Sequence, residues 1–194
     1  MPTTPPSSGA VDQDQAIAAV VAAFVADPVL RWVYPSAAQY LTWFPKLVQV
    51  FGGPAFTTDS VDCAEGYAGT ALWVAPGSEP DEEAIGALMQ ESIDEDRQEI
   101  AFAFLGQMDE HHPKEPVWYL PFIGVDPGRQ SCGHGTALLQ IGLARADRDG
   151  LPAYLEASAP RNRGLYERHG FEVVGEIQAG DSPPLWPMLR PAGG

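Results

Sequence analysis

An apolar strand, a glycine-rich loop and an amphipathic helix follow one another within residues 117–149, and this succession constrains the fold most. The loop carries Gly133 and Gly135, which have no side chains to hold an anionic group away from the backbone. The helix that begins near His134 offers unpaired N–H groups and the positive end of its dipole to the same anion. The pattern therefore predicts a binding site for a diphosphate group.

Two familiar nucleotide-binding loops do not fit these residues. A P-loop requires a lysine after its last glycine, and no lysine follows either glycine here. The dinucleotide-binding pattern Gly-x-Gly-x-x-Gly needs a third glycine, but Leu138 stands at that position. The sequence that is present reads Val125-x-Pro127-x-x-Gln130-x-x-Gly133-x-Gly135-x-Ala137.

This pattern resembles the acetyl-coenzyme A loop of the GNAT superfamily of acyltransferases, whose signature is Arg/Gln-x-x-Gly-x-Gly/Ala after a strand. Residues 152–158 and 162–171 match the second block of that family, and the resemblance covers about residues 118–174 well. The first hundred residues agree in helix order only. The resemblance implies an α/β fold of the GNAT type. Its central sheet is mixed and mostly antiparallel, with six to seven strands, splayed parallel strands in the middle and helices on both faces.

The resemblance also implies where acetyl-coenzyme A binds. In that family the acetyl-pantetheine arm lies in a gap between two parallel strands. Ile123 and Val125 would supply backbone contacts, an N–H near Ile123 would polarise the thioester carbonyl, and Asn162 would hold the arm. The implied cofactor-binding residues are Ile123, Gly124, Val125, Gln130, Ser131, Cys132, Gly133, His134, Gly135, Thr136, Asn162 and Tyr166.

One part of the loop departs from the family pattern. Ser131 and Cys132 stand where relatives usually carry Gly-Lys, so a cationic phosphate contact is missing and Arg129 is the expected substitute. Such a contact contributes only about 0.3–1 kcal/mol, so we expect weakened binding rather than its loss. A further resemblance is to the puromycin N-acetyltransferase branch of the superfamily, which includes antibiotic self-protection enzymes. The residues that carry it are 112–116, Trp118, 155–162 and 166–168.

Acetyl transfer to an amine needs a neutral amine, and an alkyl amine of pKa about 10.4 is neutral in roughly one molecule per thousand at pH 7. A general base is therefore useful. The candidates are Glu110, His112, Glu115 and Glu156. Glu156 is preferred as a catalytic residue because it lies on the strand that flanks the gap. The alternative is a carboxylate that only pairs with an arginine or the backbone.

Tyr166 is the second expected catalytic residue. By the resemblance it stands beside the coenzyme sulfur and donates a hydrogen bond that strengthens as the thiolate develops. Complete proton transfer from a phenol of pKa about 10 to a thiolate of pKa about 8.5 would cost roughly 2 kcal/mol. The alternative is a core tyrosine that packs on Phe171.

Three other sequence patterns are weaker evidence for a functional site. Residues 109–112 (Asp-Glu-His-His) are interpreted as a solvated helix end, and no metal is expected. Cys132 is interpreted as a small loop residue rather than a nucleophile. Aromatic residues would line an acceptor pocket suited to a planar amine or, alternatively, pack in the core; they are Trp32, Tyr34, Tyr40, Trp43, Trp118 and Tyr119.

Length, net charge and cysteine content limit the possible domain organisation, partners and location of the protein. The chain has 194 residues, and we expect a tail over residues 1–10 and one domain over residues 11–194. A net charge of −15 disfavours nucleic acid and favours a cationic substrate, although a well-solvated acidic surface is the alternative reason for it. No apolar run is long enough for a membrane span. Cys63 and Cys132 are expected to be reduced thiols in the cytoplasm.

Periodicity predicts the elements. Helices are expected from Asp14 to Asp27-Pro28, over 37–51 with Pro45 bending or splitting the helix, over 81–111 as two helices, and over 161–169. Residues 31–35 are interpreted as a connection. Strands are expected at 55–58, 60–64, 68–74, 117–125, 153–158, 171–177 and 185–189.

Together these features predict an N-acetyltransferase that moves an acetyl group from acetyl-coenzyme A to a small-molecule amine by direct attack in a ternary complex, as a monomer or homodimer. Its acceptor would be an antibiotic such as puromycin or another small amine. One alternative is a protein N-terminal or lysine acetyltransferase. The other is a coenzyme A-binding sensor without turnover.

Overall fold

A computed structural model describes residues 11–78 and 80–193, and the predicted tail over residues 1–10 lies outside them. No helix in this described part is long and apolar enough to cross a lipid bilayer. The elements in chain order are α1 (Gln13–Ala23), α2 (Pro28–Val33), α3 (Ala37–Thr57), β1 (Val61–Cys63), β2 (Gly69–Val74), α4 (Glu82–Ser92), α5 (Glu95–His111), β3 (Trp118–Val125), α6 (His134–Asp149), β4 (Ala153–Ala157), α7 (Pro160–Glu167), β5 (Glu172–Val173) and β6 (Trp186–Arg190).

The strands form one six-stranded sheet in the order β1-β2-β3-β4-β6-β5. Neighbouring strands are antiparallel except for β3 and β4, which are parallel and central. Helices α1 to α5 cover Leu72 and Phe122 on one face, and α6 covers Trp73 and Leu120 on the other. The expected α/β fold of the GNAT type is confirmed.

The two central strands diverge soon after they meet. Trp118 pairs with Ala153 and Tyr119 pairs with Tyr154, but no further pairs form although both strands continue. This divergence leaves a gap between β3 and β4 on the side toward the carboxyl end of each strand.

A β-bulge in β3 begins where this pairing ends. The register of β2 against β3 shifts between Leu72 and Val74, so that Leu120 and Pro121 together face Trp73. A bulge bends its strand, and it also accommodates a proline, which has no N–H for a ladder. The bulge therefore turns β3 away from β4.

Beyond the bulge, the backbone of β3 presents polar groups to the gap. Gly124 pairs with β2, and the Asp126 N–H donates to the Ala68 carbonyl at 2.9 Å. Because N–H and C=O groups of an antiparallel strand alternate in direction, those of Ile123 and Val125 point away from β2. These groups are the expected partners of the pantetheine arm, and their direction fits that expectation.

The first two helices differ from the prediction. Asp12, not Asp14, caps α1, because its Oδ1 accepts the Gln15 N–H at 3.1 Å. Asp27 does not end α1 but caps α2, and residues 31–35, expected to be a connection, begin inside that helix. Aspartate before Pro28 is a helix start, since proline at the first helical position lacks only an N–H that is unpaired anyway.

Helix α3 runs through the residues expected to stop it. Pro45 lies inside it, and Gly52-Gly53-Pro54 does not end it before Thr57, so the strand expected at 55–58 was wrong. A Cβ on Gly52 would lie 2.7 Å from the Leu72 Cδ1 atom. This glycine serves close packing of α3 on the sheet, and the packing overrides the weak helix propensity of the segment.

The remaining elements follow the prediction apart from one strand. The two acidic helices meet at Asp94, and the strand, loop and helix over 118–149 form as expected. The strand expected over 171–177 is shortened to β5, with a single bridge between Ile177 and Leu185 beyond it.

Helix α6 lies close to the sheet because of one glycine. A Cβ on Gly142 would lie 2.0 Å from the indole Nε1 of Trp73, which is fully buried. Arg145, one turn further, donates to both carboxylate oxygens of Asp62 at 2.6 and 2.8 Å and joins α6 to β1. These contacts fix the helix whose first turn forms the predicted anion site.

We predict that Gly142→Ala destabilises the protein by about 1–3 kcal/mol, because the added methyl overpacks the Trp73 ring. Gly106→Ala is the matched control, since Gly106 is an exposed residue inside α5 with nothing within 4 Å of its added Cβ. That change should stabilise by up to about 1 kcal/mol. Urea unfolding of both variants checks this, and equal shifts of the same sign would contradict the packing assigned to α6.

Candidate active site

A cleft opens between the divergent end of β3, the first turn of α6 and helix α7. Residues of β3, of the loop and first turn of α6, and of α7 line it, together with residues at the end of α1 and after it. The lining residues are Ala23, Phe24, Asp27, Ile123, Gly124, Val125, Gln130, Ser131, Gly133, His134, Gly135, Thr136, Arg161, Asn162, Leu165, Tyr166 and Arg168.

The loop before α6 is shaped for an anion. Gly133, with φ of +86°, is the N-cap of α6 and offers no side chain to the first N–H groups of the helix. Ser131 also takes a positive φ of +62°. A helix start without a side-chain cap leaves its N–H groups to water or a ligand. The loop therefore presents donors and the positive end of the α6 dipole to the cleft.

The cleft brings together almost every predicted cofactor-binding residue. Gln130 additionally donates from Nε2 to the Val125 carbonyl at 3.3 Å and closes the loop. Gly124 has a further role, because a Cβ there would lie 2.5 Å from the Ala23 Cβ of α1. Cys132 is exposed and does not line the cleft.

Two cationic residues of the cleft were not predicted from the sequence. Arg161 and Arg168, on α7 and at its end, are exposed and line the cleft, whereas Arg129 does not. The available signal was the α7 segment itself, which places an arginine on either side of Asn162 and Tyr166. Their guanidinium groups add positive charge to the same cavity as the α6 terminus.

A second cavity adjoins the cleft and extends beneath α2 to α5. It encloses about 950 Å³ counting the part open to solvent, and it shares Phe24, Ile123, Asn162 and Tyr166 with the cleft. Its other lining residues are Val29, Leu30, Val33, Leu47, Phe51, Met89, Phe104, Leu105, Met108, Tyr119, Leu120, Pro121, Phe122, Leu155, Glu156, Ser158 and Leu185. We call this cavity the apolar pocket.

Glu156 is the predicted base that lines the apolar pocket. Burial raises its pKa from 4.5 to about 7, and the nearby Tyr119 and Tyr154 hydroxyls oppose part of that rise. Burial also raises the pKa of the Tyr154 phenol, and the nearby Glu156 raises it further, so this hydroxyl stays protonated beside the carboxyl group. A carboxyl group of this pKa exchanges protons near neutral pH.

The other predicted bases do not line the apolar pocket. Glu110 and Glu115 are exposed, and neither lines the pocket. The His112 ring packs edge-on against Tyr119 and Tyr154, with both ring centroids at 4.9 Å. His112 therefore supports the two tyrosines that stand beside Glu156.

Tyr166 lies at the junction of the cleft and the pocket. Burial raises the pKa of its phenol, and the charge of Asp27 raises it further, so the hydroxyl stays protonated at neutral pH. Its ring also packs against Phe171 with centroids 6.1 Å apart. Tyr166 is thus a core side chain that lines both the cleft and the apolar pocket and keeps its hydroxyl proton.

Asp27 is a buried carboxylate of the cleft that sequence reasoning treated only as a helix boundary. Its Oδ1 accepts the Leu30 N–H at 3.0 Å, and the Ser158 hydroxyl donates to Oδ2. Burial raises the pKa of this carboxyl group, and the two hydrogen bonds oppose the rise. Asp27 therefore holds α2 and β4 together beside Tyr166.

The aromatic residues considered for an acceptor pocket mostly pack in the core. Tyr119 alone among them lines the apolar pocket. The core clusters include Tyr34, Tyr40 and Trp118, with Trp32 and Trp43 packed against them. Within residues 11–78 and 80–193, no group of three or more His, Cys, Asp or Glu side chains could hold a metal ion.

Comparison with known proteins identifies the family. The model of the acetyltransferase (GNAT) family matches residues 54–171. An uncharacterized N-acetyltransferase of Schizosaccharomyces pombe is 26% identical over 198 residues, which cover 93% of this chain and 80% of that protein.

Solved structures of acetyltransferases have the same fold as this chain. A structure from Corynebacterium glutamicum, described as histone acetyltransferase HPA2 and related acetyltransferase, is 27% identical with a TM-score of 0.66 and covers 100% of this chain and 97% of that one. Arylalkylamine N-acetyltransferase 2 of Aedes aegypti has the same fold at 16% identity, with a TM-score of 0.69 over 95% of this chain and 98% of that one.

The chain therefore belongs to the acetyltransferase (GNAT) family. It is an acyltransferase, and enzymes of this family use acetyl-coenzyme A as the acyl donor.

Proposed function

We propose that the protein transfers an acetyl group from acetyl-coenzyme A to the amine of a small molecule by direct attack in a ternary complex. One observation carries this proposal: the anion-binding cleft and the apolar pocket meet at Ile123, Asn162 and Tyr166, where β3 and β4 part. A donor in the cleft and an acceptor in the pocket would bring their reacting ends together at this junction.

The residues of the cleft fit acetyl-coenzyme A. The first turn of α6, with Arg161 and Arg168, suits the diphosphate, and the backbone of Ile123 and Val125 suits the amide groups of the pantetheine arm. Bound there, the coenzyme supplies an activated acetyl group. These residues orient it and leave the thioester facing the apolar pocket.

In the proposed reaction Glu156 accepts a proton from the acceptor ammonium, and the neutral nitrogen attacks the thioester carbonyl. A carbon–nitrogen bond forms, the carbon–sulfur bond breaks, and the second amine proton neutralises the released thiolate. Tyr166 donates a hydrogen bond to the sulfur as charge develops. Because its pKa is raised, the phenol keeps its proton and acts as a donor rather than an acid.

Two alternatives remain distinguishable. The description of the Corynebacterium glutamicum relative supports a protein acceptor, but helices α2 to α5 surround the apolar pocket, whereas a peptide needs an open channel. A sensor without turnover predicts coenzyme binding with no thiol release for any amine. The resemblance to the puromycin N-acetyltransferase branch makes an antibiotic such as puromycin one proposed acceptor. The enzyme would carry out this reaction in the cytoplasm.

Release of free thiol from acetyl-coenzyme A across an amine panel that includes puromycin and a lysine peptide tests the proposed function. In this assay Tyr166→Phe should lower kcat by about 10²–10⁴. Acetyl-coenzyme A affinity measured by calorimetry should stay nearly unchanged, because only the hydroxyl is removed.

Tyr34→Phe is the matched control, since Tyr34 is also buried but its hydroxyl contacts Ser92, away from the cleft. Its kcat should remain that of the wild type. An unchanged kcat in Tyr166→Phe would remove this residue from the mechanism.

The pH dependence of kcat/KM should reveal Glu156. The base works only when ionised, so activity should fall as pH drops through about 7, the raised pKa of its carboxyl group. Glu156→Gln should lose this acidic limb and most of its rate, while the ionisation of the same amine contributes equally to both profiles. Glu110→Gln, at an exposed carboxylate, should keep the wild-type profile. The same limb in Glu156→Gln would assign it to another group.

Charge on α7 should support donor binding. Replacement of both Arg161 and Arg168 by Gln should raise the Kd for acetyl-coenzyme A about threefold to thirtyfold, as expected for two exposed ion pairs, and should reduce its dependence on salt. Arg129→Gln is the control, because Arg129 is an exposed residue of the same loop that does not line the cleft. An equal loss of binding free energy per charge removed in the control would mean that the effect comes from net charge rather than position.

A further inference from the structure

The chemistry of the apolar pocket restricts what can bind in it. Away from the junction, its walls are aliphatic, aromatic or thioether side chains contributed by α2, α3, α4 and α5, among them Val33, Phe51, Met89 and Leu105. Binding of an apolar ligand to such walls is favourable because it removes apolar surface from water. The walls offer few hydrogen-bond partners to a polar group.

Charge in the pocket is confined to one point. Among its described lining residues, Glu156 is the one charged side chain, and it stands near the junction beside Tyr119. An acceptor with one ammonium group can direct it to Glu156. A second ammonium or a carboxylate further along the molecule would lose its hydration against walls that hold no opposite charge.

The acidic surface adds to this selection before binding. The net charge of −15 raises the local concentration of cations around the protein and repels anions. An amine that carries a carboxylate has no net charge, so it lacks the attraction that a simple ammonium gains on approach, and its carboxylate is disfavoured inside the pocket. The acidic surface also attracts diamines, so the discrimination against them comes from the pocket alone.

From these observations we propose that the acceptor is a primary monoamine on an apolar alkyl or arylalkyl body, with its amine at Glu156 and its body beneath α2 to α5. This inference rests on the proposed acetyl transfer and names its substrate class. It excludes polyamines, amino acids and lysine side chains of proteins as efficient acceptors.

Hexylamine, hexamethylenediamine and aminocaproate form a matched series, since they share one six-carbon chain and differ in the group at its far end. Measured by thiol release, kcat/KM for hexylamine should exceed that for each of the other two by about 100-fold or more, because the far charge loses its hydration. A comparable or higher value for the diamine, for aminocaproate or for a lysine peptide would overturn the proposal.

Chain length gives a second test on the wild-type enzyme. From propylamine to hexylamine, kcat/KM should rise about threefold to fourfold per methylene, the factor expected for burying one CH₂ group. A flat or falling series would show that the body of the acceptor stays in water, which contradicts the proposal.

A charge placed in the pocket should alter the selectivity. Leu105→Glu, at a half-buried lining residue of α5, should raise the ratio of diamine to hexylamine kcat/KM by about tenfold or more. Ala103→Glu adds the same charge at an exposed residue of the same helix that does not line the pocket, and it should leave the ratio unchanged. Equal shifts in both variants would contradict the role of the pocket.

Binding separates failure of this inference from failure of the proposed function. Calorimetry of the coenzyme A-saturated protein with N-hexylacetamide and with its terminally aminated analogue requires no turnover. Tighter binding of the uncharged amide supports the inference even if no amine releases thiol, a result that would reject the acetyl transfer alone. Equal or weaker binding of the uncharged amide rejects the inference.

Discussion

The separation of β3 from β4 after the Tyr119–Tyr154 pair is the feature on which the rest of the site depends. Two central parallel strands would normally continue their ladder, and the unpaired groups would otherwise be costly in a buried position. Here the bulge that contains Pro121 bends β3 away and directs the backbone of Ile123 and Val125 into the gap. The groups of Ile123 and the Val125 N–H are then available to a ligand that brings its own amides, while the Val125 carbonyl accepts from Gln130.

Opposite electrostatic environments meet at this gap. On one side the α6 terminus, Arg161 and Arg168 are positive, while on the other Glu156 is a carboxyl group of raised pKa in an apolar pocket. The protonated phenol of Tyr166 stands between them. In the proposed reaction a polyanionic donor and a cationic acceptor would be drawn to different sides of this junction, the donor against the negative net charge of the chain.

Sequence reasoning located this junction from its local motifs. The loop over 130–136 and the Asn162–Tyr166 block consist of residues close in sequence. The glycine pattern predicted an anion site in the loop, and the resemblance to the GNAT family indicated the block. Elements governed by distant contacts were not predicted as well: α3 continues past Gly52 because that glycine packs on Leu72 of a later strand. The apolar pocket was missed for the same reason, since its walls come from four helices that no local pattern relates.

Asp27 and Arg161 illustrate a second limit of prediction from the sequence. Each was visible in the sequence, but the meaning of Asp27 depends on Ser158 across the sheet, and that of Arg161 on the cleft that α7 borders. Residue type and spacing cannot report such partners. The fold class and most of the residues that line the cleft were therefore predictable, whereas the shape of the apolar pocket was not.

Amide hydrogen exchange at single-residue resolution tests the central claim most directly. Without ligand, the Ile123 and Val125 amides should exchange faster than that of Gly124, which pairs with β2, and acetyl-coenzyme A should slow the first two selectively. Slow exchange at Ile123 and Val125 in the free protein, with no change on addition of the coenzyme, would mean that the strands are already joined there and would contradict the account.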